Sequence, residues 1–435
     1  MGSAVEDKRE AASLSAIADR LLSHPELSFS SACGSGLRKA AWRIFSKPEV
    51  DVNYGHYQRT QQRCQGQPVV LVSQDTSDLS YPTHQASEGL GDLGGGKGSG
   101  NAGLCLHSAM AMSETGLPLG LLGQKVWAPV ATGRALPNRK YALEEKESYR
   151  WVEALHWVNR YATKAGQVVV LSDRESDFYE YMIAPRAENV ALLFRAHHLE
   201  RKIVFNHHPL QLRQVAFANS VAIELYLPES KQRAARIANL QVSWGEVICP
   251  PAEGKKGAPL TLSVVIAKET DLSQKEPLEW YLLTTLPVGD GQAALLMIDY
   301  YRKRWVIERW HLVLKDGLKV ERLQFNNFIR LSNAIQLLSV VAWQLLCLKH
   351  LAAQQPLLPL EQVFEPLQIQ VLEAHTKTKN LSLKQALIAI AALAGFVASK
   401  KQPLPGEKTI WKGWAIFSSL CNGYQLAFQN TYGTG

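Results

Sequence analysis

The sequence predicts an α/β protein in which a mixed core is interrupted by a mainly β stretch and flanked by helical regions at both ends. Two short β-branched runs, 68–72 and 167–171, have the make-up of buried strands, and each leads into an aspartate. Residues 199–286 alternate apolar and polar positions between turn residues, as in 221–227 and 260–266. Helical periodicity governs the chain before residue 65 and beyond residue 329.

Up to residue 65, the stretches 14–22 and 37–45 read as helices separated by turns. Residues 66–198 hold the first strand with Asp75 at its end, a glycine-rich connection, apolar segments over 104–126, a charged helix over 144–162, and the second strand with Asp173 at its end. The β-rich insertion occupies 199–286, and the core resumes over 287–345 with a polar-striped helix at 301–315. Residues 346–435 return to apolar helices, and 334–351, 381–398 and 411–420 are the clearest of the terminal helical segments. The longest apolar run, 386–398, has 13 residues. A membrane span needs about 20, so the run reads as a packed helix and no span is expected. The charged amino terminus does not read as a signal peptide.

A length of 435 residues allows two or three domains, and a net charge of +8 favours a polyanionic partner without naming one. Six cysteines lie far apart, with neither a disulfide framework nor a zinc spacing among them, which fits a reducing cytoplasm.

The helix at 301–315 carries the densest chemistry. At about 100° per residue, Tyr301, Arg304, Glu308 and Lys315 fall within an arc of roughly 60°, with His311 beside them. Val306, Ile307, Trp310, Val313 and Leu314 form the opposite, core-facing side. The plain alternative is a solvated face on which Glu308 pairs with Arg304 four residues away.

The spacing Tyr-x2-Arg-x3-Glu-x6-Lys resembles the YREK signature of bacterial DDE transposases of the insertion-sequence-4 family, with cut-and-paste chemistry. The segment 173–177 likewise resembles that family's Asp-Arg-Glu element. The resemblance implies an RNase H-like catalytic core in which Asp75, Asp173 and Glu308 are the catalytic, metal-binding carboxylates. Two Mg²⁺ ions about 3.5 to 4 Å apart would activate the attacking oxygen and stabilise the leaving one, with Mn²⁺ as a substitute. It further implies that Tyr301, Arg304, Lys315 and His311 contact DNA, that Trp280 stacks on a flipped base during hairpin formation, and that Arg195 is a further DNA contact. Residues 1–65 would bind DNA and 346–435 would pair two protomers, giving a homodimer on transposon ends and target DNA, in the bacterial cytoplasm at the nucleoid. The segment 5–10 resembles one that usually stands further from the start, which implies a shortened end-recognition region.

Each residue also has a plainer reading. Asp75 and Asp173 can terminate strands or cap the next helix, and Trp280 can be a core aromatic at a strand start. Two further functions stay open: a DNA-binding relative that occupies ends without cutting, and a standalone RNase H-like nuclease. The stretch 91–98 nearly spells a phosphate-binding loop, but Gly98 stands where Ser or Thr is needed, so it reads as a flexible loop. His197, His198, His207 and His208 have no companion ligands at zinc spacing and read as surface residues. Asp177 reads as an acid at a helix start, with metal ligation as the alternative.

Overall fold

The computed structural model describes all residues except 1–2, 5–7, 25–26, 83–86, 95–100, 130–140, 228–234, 252–256, 275, 401 and 433–435. It is mixed α/β, with a large mixed sheet and helices at both ends. The amino-terminal region contributes α1 (Lys8–Ser23), α2 (Ser35–Phe45) and α3 (Tyr54–Cys64). The sheet begins with β1 (Val69–Ser80), β2 (Ala102–Ser113) and β3 (Pro118–Trp127), an antiparallel meander. Helix α4 (Tyr149–Tyr161) then crosses over to β4 (Gln167–Ser172), which pairs parallel with β1, and β5 (Val190–Arg195) pairs parallel with β4. These five strands lie in the order β3-β2-β1-β4-β5.

The expected β-rich insertion forms, but as part of the same sheet. Strands β6 (Lys202–Phe205), β7 (His208–Gln211), β8 (Ser220–Leu227), β9 (Arg236–Cys249), β10 (Leu260–Glu269) and β11 (Glu279–Thr284) all belong to one 12-stranded sheet. Antiparallel pairing of β11 with β5, with Leu282 opposite Arg195, makes the join. The β6–β7 hairpin turns through Asn206 and His207, both at positive φ (49° and 65°), the combination that a two-residue turn matching strand twist requires.

Both faces of the central strands are covered, which is why β1 and β4 read as unbroken Val/Leu runs rather than alternating ones. Val70, Val72, Val168 and Val170 pack in the cluster that contains Trp151, Leu155 and Val158 of α4. Leu71, Leu171, Leu193 and Leu282 pack on the other face with Ala294, Met297 and Ile298 of α5 (Gly291–Lys303). Asp290 caps α5 by accepting from the Ala293 N–H at 2.8 Å, satisfying one of the amides a helix start leaves unpaired.

Helix α6 (Val306–Leu312) comes next, then the long α7 (Phe328–Gln354), α8 (Pro366–Thr376), α9 (Leu383–Ala392) and α10 (Glu407–Tyr432). The 386–398 run is helical only as far as Ala392, because the chain turns at Gly395 with φ +85°. Among the described residues, the apolar helix with spanning length is α7, and its most apolar part is 67 % buried inside the protein. Its surface is used in packing: the fully buried Trp310 of α6 donates its indole N–H to the Ser339 carbonyl of α7 at 3.0 Å. That anchor fixes α6 against α7, and removing such an indole costs about 3–5 kcal/mol.

Candidate active site at the carboxyl edge of the parallel strands

The β1–β4 ladder ends with Ser73 opposite Leu171. Two residues past that last pair stand Asp75, still within β1, and Asp173, just beyond β4, close enough for their charges to interact. The β4–β5 ladder ends with Ser172 opposite Phe194, so Arg195 is the next residue level with Asp173. Three adjacent parallel strands thus deliver two carboxylates and a guanidinium to one edge, the carboxyl edge where open α/β sheets bind ligands. Asp75 does not end its strand, as the sequence suggested: β1 runs on to Ser80, paired with β2 alone, so Asp75 ends only the parallel part.

Asp173 accepts the Glu175 N–H at 2.9 Å. Burial raises its pKa, and the like charges of Glu175 and Asp75 add to the rise, against the Glu175 amide and Arg304, which pull it down.

The expected continuous helix over 301–315 is interrupted. Tyr301 lies in α5, Arg304 and Trp305 form a joint, and Val313–Gly317 is a π turn. At the joint the Ile307 N–H turns back to the Arg304 carbonyl, and that carbonyl also accepts the Ser73 hydroxyl at 2.8 Å. Ser73 therefore pins the joint to β1, two residues before Asp75.

Arg304 is the hub. It is buried, with its guanidinium 2.6 Å from Glu308 Oε1 and its charged end 5.8 Å from the centre of the Tyr301 ring. Burial would lower its pKa, but Tyr301, Glu308, Asp75 and Asp173 together hold it above the ordinary value. Its Nε is buried without a partner. Tyr301 is buried too, and burial raises its hydroxyl against the opposing pull of Arg304 and Arg195. Burial lowers the pKa of Arg195, joined by repulsion from Arg174 and Arg304, while one of its N–H groups reaches the Glu279 carbonyl at 2.7 Å.

Further along, His311 Nδ1 is 3.5 Å from Asp75 Oδ2, and its Nε2 is buried without a partner. Lys315 faces Glu321 at 3.9 Å, and Glu321 accepts the Ser80 N–H at 2.8 Å. The polar residues of 304–315 thus track β1 from Ser73 past Asp75 to Ser80.

Trp280 is 5 % exposed and packs edge to face on Tyr301 and Trp305, as a core aromatic at a strand start does. Trp305, which the sequence reading passed over, is 40 % exposed three residues before Glu308. Trp280 and Trp305 also line a cavity of about 400 Å³ with Tyr226, Arg302 and Lys303. Ser73 was also missed, since its role comes from a contact between distant segments.

Asp75 and Asp173 offer hard oxygen donors of like charge side by side, a set that suits a divalent cation of the Mg²⁺ type. Glu308 instead faces Arg304. Among the described residues no group of three His, Cys, Asp or Glu side chains is gathered as a metal site.

Asp177 is neither a metal ligand nor a plain helix-start acid. Its side chain is fully buried, ion-paired with Arg201, and accepts the His197 and His198 N–H groups at 2.7 and 2.8 Å. The four histidines are exposed. All six cysteines are free. Gly96, Lys97 and Gly98 of the glycine-rich stretch, and residues 5–7, lie outside the described residues. No family model matches the chain.

Proposed function

We propose that this protein is a metal-dependent DNA transposase with an RNase H-like core, cleaving DNA ends through a hairpin and joining them to a target. One observation carries the reading: Asp75 and Asp173 stand just past the end of the parallel β1–β4 ladder, with their charges interacting and the Arg304–Glu308 pair beside them. The strand order β3-β2-β1-β4-β5, with two antiparallel pairings followed by two parallel ones, supports the fold assignment.

Asp75 and Asp173 would hold the ions, and Glu308 would join them once it leaves Arg304. Bound divalent ions supply Lewis acidity and an activated oxygen nucleophile. The chain's own groups do the rest. Arg304, freed from Glu308, presents a fork for a phosphate; Lys315 and Arg195 add charge to either side. Trp305 offers the exposed indole face on which an unstacked base can rest, with Trp280 holding it from behind.

Supporting features lie away from the site. Arg38 and Lys39 are exposed on α2 beside Trp42, over whose ring the Arg330 guanidinium sits at 3.6 Å, an arrangement suited to a nucleic-acid backbone. On α10, Ile416, Leu420 and Tyr424 are exposed at a spacing of four residues, a stripe suited to a second copy of the chain.

The test is incubation with Mg²⁺ and duplexes made from the DNA flanking its own reading frame, followed by separation of nicks, hairpins and joined products. Hairpins from the wild type and none from Glu308→Ala are expected. A wild type as inactive as Glu308→Ala overturns the reading. A second reading, a relative that occupies ends without cutting, is favoured by the Glu308–Arg304 pair, and it expects tight end binding with no product in any divalent ion.

A further inference from the structure

Arg150 stands behind the candidate site, on the opposite face of the sheet from Asp75. It lies in the first turn of α4, where the helix dipole disfavours a cation, so local electrostatics does not explain its presence. Its side chain is largely buried, and its charged end is 5.7 Å from the ring centre of Trp151 and 5.9 Å from that of Trp127. Its Nε donates to Thr76 Oγ1 at 2.9 Å, and that hydroxyl is 2.9 Å from His107 Nδ1. A terminal N–H₂ is ion-paired with Glu175.

Both contacts adjoin the aspartates. Thr76 follows Asp75 directly, and the Glu175 amide is the group that holds Asp173 Oδ1. The β1–β4 ladder stops at Ser73 and Leu171, so no backbone bond between these strands sets the spacing of Asp75 and Asp173. Arg150 reaches across that gap.

Resting on the nuclease reading of the site, we propose that Arg150 is a positioning residue: its fork ties Thr76 to Glu175 and so fixes the separation of the Asp75 and Asp173 carboxylates for a divalent cation. Outer partners of metal ligands commonly set affinity by about 10- to 100-fold, and the brace acts at that level.

The experiment is titration of the full-length protein with Mn²⁺ alone, read by electron paramagnetic resonance, together with the Mg²⁺ concentration giving half-maximal nicking. Arg150→Ala is expected to weaken Mn²⁺ binding by about 10- to 100-fold, to raise the half-maximal Mg²⁺ by a similar factor, and to leave the rate at saturating Mg²⁺ near that of the wild type. Glu175→Gln, which keeps shape but loses charge, should give a smaller loss in the same direction. If Arg150→Ala does not fold, Thr76→Val and Glu175→Gln, each removing one arm, carry the test. Mn²⁺ affinity within about twofold of the wild type in folded variants overturns the brace. A wild type that binds Mn²⁺ through Asp75 but cuts no DNA overturns the nuclease reading and leaves the brace standing. A wild type that binds Mn²⁺ no better than Asp75→Asn overturns both.

Discussion

Asp173 and Glu269 belong to the same sheet, yet their surroundings treat their charges in opposite ways. Asp173, just past the end of a parallel strand, has one backbone donor and a like-charged neighbour, and burial leads in raising its pKa. Glu269, at the end of antiparallel β10, is ion-paired through both oxygens with Arg236 and also accepts the Leu278 N–H at 2.8 Å. The Arg236 hydrogen bond leads in lowering its pKa. The antiparallel extension completes the partners of its acids, while the parallel edge leaves its acids short of them. A carboxylate held against its own charge is what a site that takes up a cation requires.

Substitutions at the two places should separate activity from stability. The largest effect is expected at the parallel edge: Asp75→Asn or Glu308→Gln should cut the proposed nicking by about 10³-fold or more, the scale of losing a principal electrostatic group. Little change in melting temperature is expected for Asp75→Asn and some loss for Glu308→Gln, which takes the counter-ion from the buried Arg304. Nicking that survives in either variant breaks the contrast. Next comes Asp177, only four residues beyond Asp173 but buried and fully partnered. Asp177→Ala leaves Arg201 without its counter-ion and should cost about 3–5 kcal/mol in a denaturant titration.

The pH dependences should run in opposite directions. The raised pKa of Asp173 means that the folded state holds a proton the unfolded state releases, so this stability is present below the ordinary value of 3.8 and is lost as pH rises through the folded pKa. In a chelator, Asp173→Asn should therefore raise the melting temperature at pH 7 and leave it unchanged at pH 3. Glu269 has the reverse sign: its stability is present above the ordinary value of 4.5 and is lost as pH falls through the folded pKa. Glu269→Gln should lower the melting temperature at pH 7 and matter less near pH 3. Matching signs for the two variants would refute the comparison. The smallest effect is expected at Trp305: Trp305→Ala should reduce hairpin yield by a factor consistent with about 1–3 kcal/mol of stacking, leave first-strand nicks intact, and be matched by loss of the 2-aminopurine fluorescence change in an end duplex.

Asp75 and Asp173 could be read in the sequence because β-branched runs betray buried strands, and an acid at the end of such a run is conspicuous. The core-facing side of 306–314 was equally legible, since Ile307, Trp310, Val313 and Leu314 are buried and Val306 is partly buried against the core. The joint at Arg304 was not: it depends on the Ser73 hydroxyl, more than 200 residues away, and helical periodicity carries no trace of such a contact. Trp305 fell between the polar stripe and the apolar side and was assigned to neither. The continuity of the insertion with the core sheet was hidden for the same reason as the joint, because the pairing of β11 with β5 joins segments that alternation describes only one at a time.

The π turn at Val313–Gly317 has a consequence for how the chain tolerates change in length. Its Leu318 N–H returns to the Val313 carbonyl, five residues back, one more than an α-helix would enclose. Deleting one residue there would restore a regular helix without breaking it, but it would rotate everything beyond by about 100°. Asp316 would turn away from Lys408, and Gly317 from the Trp411 ring, which a side chain at that position would crowd. The extra residue is a phase-setting insertion: it lets one stretch of chain face β1 with Arg304 and His311 and still meet α10 in register.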